Sequence, residues 1–182
     1  TAGVDGVVPP GGFVIPPIDL KSTTTAIGFR VMRDLRDSSF YPTKGSIWEF
    51  KGDFFAEPLG SNRTYQTYKA SYNGYKTIGA GQVLAYRAMG CSVSDSTPFY
   101  DLCLFGGSDL RGYTTGQFQN NKMLATQVEY RRELKWRLGL VGFGGVGGVA
   151  QNWGDFRFDE LLPAAGAGLR LNLDKKNHIN YR

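Results

Sequence analysis

The chain has 182 residues, enough to bury one ordinary core, and its composition is β-rich: 14% of residues are aromatic and Gly numbers 25, against 3 Met and 1 His. Hydrophobic residues at 41% and charged residues at 20% exclude both a disordered chain and a bundle of membrane helices. The formal charge of +5 comes from 21 basic residues scattered without a polybasic run, which argues against a nucleic-acid partner.

The first segment, 1–23, contains Pro9, Pro10, Pro16 and Pro17 and lacks a charged start, so it reads as an extracellular loop or linker rather than a signal peptide. From residue 24 to the end, period-two alternation recurs and no helical stripe competes with it. The first strand sets Thr25, Ile27, Phe29 and Val31 against Gly28, Arg30, Met32 and Asp34. The second, 46–56, sets Trp48, Phe50 and Phe54 against Glu49, Lys51 and Asp53. The third, 64–74, opposes Tyr68, Ala70 and Tyr72 to Thr67, Lys69, Ser71 and Asn73, and the fourth, 81–89, opposes Leu84, Tyr86 and Ala88 to Ala85 and Arg87. Beyond a long loop, Leu124, Thr126, Val128 and Tyr130 oppose Gln127, Glu129 and Arg131. The glycine-rich segment 136–149 has no assignable faces. Ala165, Ala167, Leu169 and Leu171 then oppose Gly166, Gly168, Arg170 and Asn172, and a last strand starts near Ile179.

Alternation alone does not say which face is inside, but the connections do. Links 38–45, 75–80, 134–135 and 174–176 fall on one end of an up-and-down sheet, and links 57–63, 90–121 and 150–163 fall on the other. The second set is longer on average, which is the asymmetry of periplasmic turns and extracellular loops in a transmembrane β-barrel. Trp48, Tyr65, Tyr75, Tyr130, Trp136 and Trp153 stand near strand ends, where interfacial girdles sit. The expectation is an all-β, antiparallel, up-and-down transmembrane barrel.

Chemistry-bearing patterns are few. Gly142, Gly144 and Gly147 spell GxGxxG, but a loop rather than a helix follows, so these glycines read as a bend or a close approach of another segment. His178 stands beside a turn, without ligands at metal spacing, and Asp159 with Glu160 reads as a solvated loop. No enzyme, cofactor or metal site is expected. Cys91 and Cys103 match no zinc or redox spacing and are either a disulfide or two thiols.

Two segments are specific. Asp34-Leu35-Arg36-Asp37-Ser38-Ser39-Phe40-Tyr41-Pro42-Thr43-Lys44-Gly45 closes the first strand with alternating charges and a turn, and Gly106-Gly107-Ser108-Asp109-Leu110-Arg111-Gly112-Tyr113 lies in the longest loop. Together they resemble the bacterial surface antigen family, the barrel of the BamA/TamA outer-membrane assembly superfamily, with its DxRD...FxPTKG strand-turn and its RGF/Y loop. The resemblance covers residues 24–182. It implies that the loop folds back into the lumen, that Arg111 pairs with Glu129, and that Gly112 lets the loop tip turn. With Tyr113, these residues would lock the loop. Asp34, Arg36, Asp37, Pro42 and Gly45 would fix a periplasmic turn, and Cys91 with Cys103, if oxidised, would staple the base of the long loop. One departure stands out: the family's FxDxG segment reads Phe143-Gly144-Gly145-Val146-Gly147 here, so a second acidic partner for Arg111 is missing.

Family barrels have sixteen strands, and the resemblance places this chain from the eighth strand into the fifteenth, a partial barrel of seven strands plus the start of an eighth, without lateral gate or POTRA domains. The implied work is insertion or translocation of outer-membrane proteins at a weakly closed barrel seam. The implied partners are outer-membrane lipids, unfolded outer-membrane protein clients and periplasmic domains outside this chain. The rival readings are a passive pore or surface antigen on the same scaffold, and a small self-contained lipid-binding barrel.

Overall fold

A computed structural model of the chain describes residues 23–107, 109–134, 136, 138–174 and 179–181. Residues 1–22 of the expected linker and His178 lie outside the described residues. Eight strands form one antiparallel sheet: β1 (Ala26–Asp34), β2 (Gly45–Phe55), β3 (Tyr65–Gly79), β4 (Gln82–Val93), β7 (Lys122–Glu133), β8 (Leu138–Ala150), β9 (Leu162–Asp174) and β10 (Ile179–Tyr181). They pair in that order. Two further strands, β5 (Cys103–Phe105) and β6 (Phe118–Asn120), form a hairpin inside the link between β4 and β7.

The pairing register from β1 to β9 of this sheet sorts its residues onto two faces. In β7, Met123, Ala125, Gln127, Glu129 and Arg131 are buried on the concave side, whereas Leu124 and Val128 are exposed on the convex side. Because opposed residues share a face, the same side carries Arg30, Glu49, Lys51, Asp53 and Arg87 on the earlier strands. The convex side carries Ile27, Phe29, Val31, Phe50, Tyr72, Tyr86, Leu140 and Leu169, all exposed. Apolar outside and charged inside inverts a soluble barrel and suits a lipid-facing wall, and it excludes a soluble apolar-ligand barrel.

Three expectations need correction. The third strand runs to Gly79, not 74, and turns tightly at 80–81, because Tyr75, Lys76 and Thr77 stay in register with Ala85, Leu84 and Val83. The fourth runs to Val93, not 89, because Cys91 and Val93 continue its inward alternation past Gly90. Tyr65 and Tyr75 are not girdle residues: both have inward parity. Tyr65 is 1% exposed, stacks on Phe55 at 4.2 Å between ring centroids, and donates its hydroxyl proton to Asp101 at 2.5 Å.

Links 35–44, 80–81 and 134–137 fall at one end of the sheet, and links 56–64, 94–121 and 151–161 fall at the other. These are called the short-turn and long-loop ends below. Gly142, Gly144 and Gly147 lie within β8, so no dinucleotide-binding turn exists there.

Candidate functional site

The link 94–121 does not stand off the sheet; it folds onto its concave face. Cys91 on β4 and Cys103 on β5 are joined by a disulfide, with Cα atoms 5.7 Å apart, which ties the loop to the wall at its start. Phe105 and Leu110 then enter a cluster with Cys91, Val93, Met123 and Ala125, and both are fully buried at 0% exposure. The wall makes room for them by having no side chains. A Cβ built on Gly145 would stand 2.6 Å from Leu110 Cδ1, and one on Gly147 would stand 2.5 Å from Phe105 Cε2. The position where an aspartate was missed thus receives an apolar side chain.

One step nearer the short-turn end, the contact becomes ionic. Glu129, 3% exposed, is surrounded by three arginines among the described residues. Arg111 from the loop pairs with its Oε2. Arg131, two residues along β7, donates from Nε to Oε1 at 2.5 Å, and Arg170 of β9 donates to the same oxygen at 3.0 Å. Arg111 also stacks over Phe143, directly opposite Glu129 in the register, with Cζ 4.9 Å from the ring centroid. Its backbone N–H donates to Gln127 Oε1 at 3.3 Å, and Asp109 sits 3.5 Å from Arg87.

The loop tip needs its glycine, since Gly112 has φ +101, and Tyr113 then returns to the wall, its hydroxyl donating to the Pro163 carbonyl at 2.7 Å. A buried carboxylate with several guanidinium partners is held in one orientation. Removing it would strand the positive charges in a poorly solvated site.

The strand-turn segment is equally built. Arg36 chelates Asp34 through Nε at 2.8 Å and Nη2 at 2.6 Å. Asp37 accepts from the Thr43 amide at 2.9 Å, the Thr43 hydroxyl at 2.5 Å and the Lys44 amide at 3.1 Å. Partial burial opposes ionisation of Asp37, but those hydrogen bonds outweigh it and hold the carboxyl below its ordinary value. Gly45 has φ +89, and a Cβ there would lie 2.0 Å from the Leu35 carbonyl oxygen. Tyr41, 7% exposed, and Pro42, also buried, are carried inward by this turn. Burial first, then the charge of Glu133, pushes the Tyr41 hydroxyl above its ordinary value against the pull of Arg131 and Arg170.

Arg111 is therefore brought onto Glu129, while Gly112 turns the chain and Tyr113 reaches the Pro163 carbonyl rather than the carboxylate; Asp34 meets Arg36, Asp37 meets the end of its turn, and Cys91 is joined to Cys103. Sequence reasoning missed Leu110, Phe105, Arg131, Arg170 and Tyr41. Arg131 and Arg170 could have been found, since both stand on the charged parity of their strands.

Residues 18–175 match the Omp85 superfamily domain. The chain belongs to the Omp85 superfamily. A curated relative, the outer membrane protein assembly factor BamA of Nitratidesulfovibrio vulgaris (strain Hildenborough), is 26% identical over 160 residues, covering 78% of this chain and 20% of that protein. A solved relative, BamA from Haemophilus ducreyi lacking POTRA domains 1-3, superposes with a TM-score of 0.68 at 16% identity, covering 80% of this chain and 36% of the other. The chain thus spans about a fifth of the length of the curated relative and about a third of the solved one. This is an outer-membrane β-barrel protein of the Omp85 superfamily, and its curated relative is an outer membrane protein assembly factor.

Proposed function

We propose that this Omp85 chain is part of a barrel that inserts or translocates other outer-membrane proteins, by lending a weakly closed seam to their incoming strands. Loops 56–64, 94–121 and 151–161 face outward, and links 35–44, 80–81 and 134–137 face the periplasm. The observation that carries the reading is the loop folded onto the concave wall with Arg111 seated on the buried carboxylate of Glu129. Arg111, Gly112, Tyr113 and Glu129 act as a lock that fixes the inner loop, and the Cys91–Cys103 bond anchors its base. Asp34, Arg36, Asp37, Pro42 and Gly45 fix the periplasmic turn. Outer-membrane lipids cover the convex face, and unfolded clients and periplasmic domains outside this chain are its protein partners.

A wide passive pore keeps its lumen open, whereas here the loop carrying Phe105 and Leu110 lies packed against the inner wall of β7 and β8. The test replaces the full-length protein in cells with its Arg111→Ala variant. The reading expects fewer folded outer-membrane proteins and a weakened heat-modifiable gel shift of the variant itself. Unchanged heat-modifiability together with unchanged outer-membrane protein assembly would count against it.

A further inference from the structure

The two oxygens of Glu129 serve different segments. Oε2 takes Arg111, which arrives from the long-loop end. Oε1 takes Arg131 and Arg170, and both of these face the turn that enters from the opposite end. Arg131 Cζ lies 5.5 Å from the centroid of the Tyr41 ring, Arg170 Cζ lies 5.8 Å from it, and Arg131 Nη1 donates to the Pro42 carbonyl at 3.4 Å. Arg131 Cζ also lies 5.4 Å from the centroid of the Tyr75 ring on β3. Residues 39–42, Tyr75 and the two arginines line an open cleft of about 170 Å³ that Arg36 also borders. The inward-folded turn and the inward-folded loop therefore never need to touch, because one buried carboxylate lies between them.

We propose that Arg131 and Arg170 are positioning residues which, through Glu129, couple the seating of the Tyr41-Pro42 turn to the seating of the Arg111 loop, so that withdrawal of Arg111 from Glu129, or of Tyr41 from the two arginines, loosens the other segment. The physical argument rests on shared charge. With Arg111 withdrawn, Glu129 is left to Arg131 and Arg170 alone, and its carboxylate is drawn toward them or rotates, shifting the guanidiniums that hold the Tyr41 ring and the Pro42 carbonyl. With Tyr41 withdrawn, Arg170 and Arg131 lose the ring they share, Arg131 keeping only Tyr75, and both are freer to reorganise around Glu129, weakening the site that Arg111 must find. A coupling of this kind is reciprocal by thermodynamic necessity. It rests on the loop-lock reading above and deepens it, giving the lock a means of reporting along the inner face from one end of the sheet to the other.

The experiment is amide hydrogen exchange of the full-length protein in native outer-membrane vesicles, following peptides that cover 35–44 and 106–117. Arg111→Ala is expected to speed exchange in 35–44 by roughly fivefold or more, and Tyr41→Ala to speed exchange in 106–117 by a comparable factor. Tyr113→Phe, which releases the loop from the Pro163 carbonyl without touching Glu129, is expected to speed exchange in 106–117 and leave 35–44 as in the unaltered protein. Should Arg111→Ala fail to reach the membrane, Arg111→Lys, which keeps a charge but loses the planar fork, takes its place with a smaller effect of the same sign. In the Arg111→Ala variant, exchange in 35–44 that is unchanged while 106–117 opens would overturn the proposal. So would equal acceleration of 35–44 by Tyr113→Phe, since that would mark general loosening rather than a route through Glu129. Because the readout is exchange and not assembly of clients, the coupling and the assembly function fail independently.

Discussion

Toward the long-loop end the inner wall receives Leu110 and Phe105 in pockets left by Gly145 and Gly147; nearer the short-turn end it receives Arg111 on Glu129. The first contact is apolar, dry and held by shape, and its strength grows with the area removed from water. The second is ionic and directional, and its net contribution depends on every charge having a partner. The difference teaches that a loop can be seated by packing and oriented by charge: Leu110 and Arg111 are adjacent in sequence, yet one supplies burial and the other direction. It also explains how the loop is held with a glycine where a second carboxylate was expected, since Leu110 fills that space.

The sharpest way to break the comparison is at the ionic contact. Glu129→Ala leaves Arg111, Arg131 and Arg170 around an empty position, and loss of about 3–5 kcal/mol is expected. Urea unfolding in detergent, read by the heat-modifiable mobility shift, checks this. A loss no larger than that of an exposed ion pair would show that the site is wetter than its burial implies. Next comes the apolar contact. Leu110→Ala opens a cavity against Gly145 and should destabilise by about 2–5 kcal/mol, with the loss growing as the cavity stays empty. The same unfolding measurement with a Leu110→Met variant sharpens the result, because a volume-conserving change should be nearly neutral.

Replacing both Cys91 and Cys103 with Ser removes the tether of a short loop and should lower stability by about 2–3 kcal/mol, visible as a shift of the unfolding midpoint that reductant reproduces in the unaltered protein. The smallest effect is expected at the turn. The carboxyl of Asp37 is held below its ordinary value, so its contribution is fully present above the unfolded value near pH 4 and is lost as pH falls through the lower folded value. Limited proteolysis across 35–44 should therefore change little from neutral pH down to about pH 4 and rise below it. Asp37→Asn should show raised cleavage at every pH and no such step.

Much of this was legible in the sequence because a strand with one lipid face and one charged face writes its period openly. Ile27, Phe29 and Val31, or Leu124 and Val128, declare a side without reference to anything distant. Arg111 and Glu129 were within reach because the loop motif names the one and strand parity places the other inside. Where glycine interrupts the pattern, legibility fails. The continuations of β3 past Gly74 and β4 past Gly90 were cut short, and β8, with no side chain at positions 142, 144, 145, 147 and 148, showed no faces. The fit of Leu110 onto Gly145 was hidden for a different reason, since a knob and the space that receives it are written in separate segments, and only the register of β7 with β8 brings them together. Parity places Arg170 on the inner face of β9, but that it reaches Glu129 from two strands away, across β8, is a relation no spacing encodes. Tyr41 read simply as part of a turn, whereas its burial follows from the turn folding inward beneath Arg131.

The central claim is that the Arg-Gly-Tyr loop lies seated on the inner wall in the membrane, and thiol accessibility in intact cells tests it most directly. Single cysteines replace Leu110 and, separately, Gln117 in the full-length protein, with Cys91 and Cys103 left in their disulfide, and each is challenged from outside with a membrane-impermeant maleimide. Leu110 is fully buried and Gln117 of the same loop is exposed, so the account predicts labelling at 110 slower than at 117 by an order of magnitude or more. Equal rates at the two positions would contradict a seated loop.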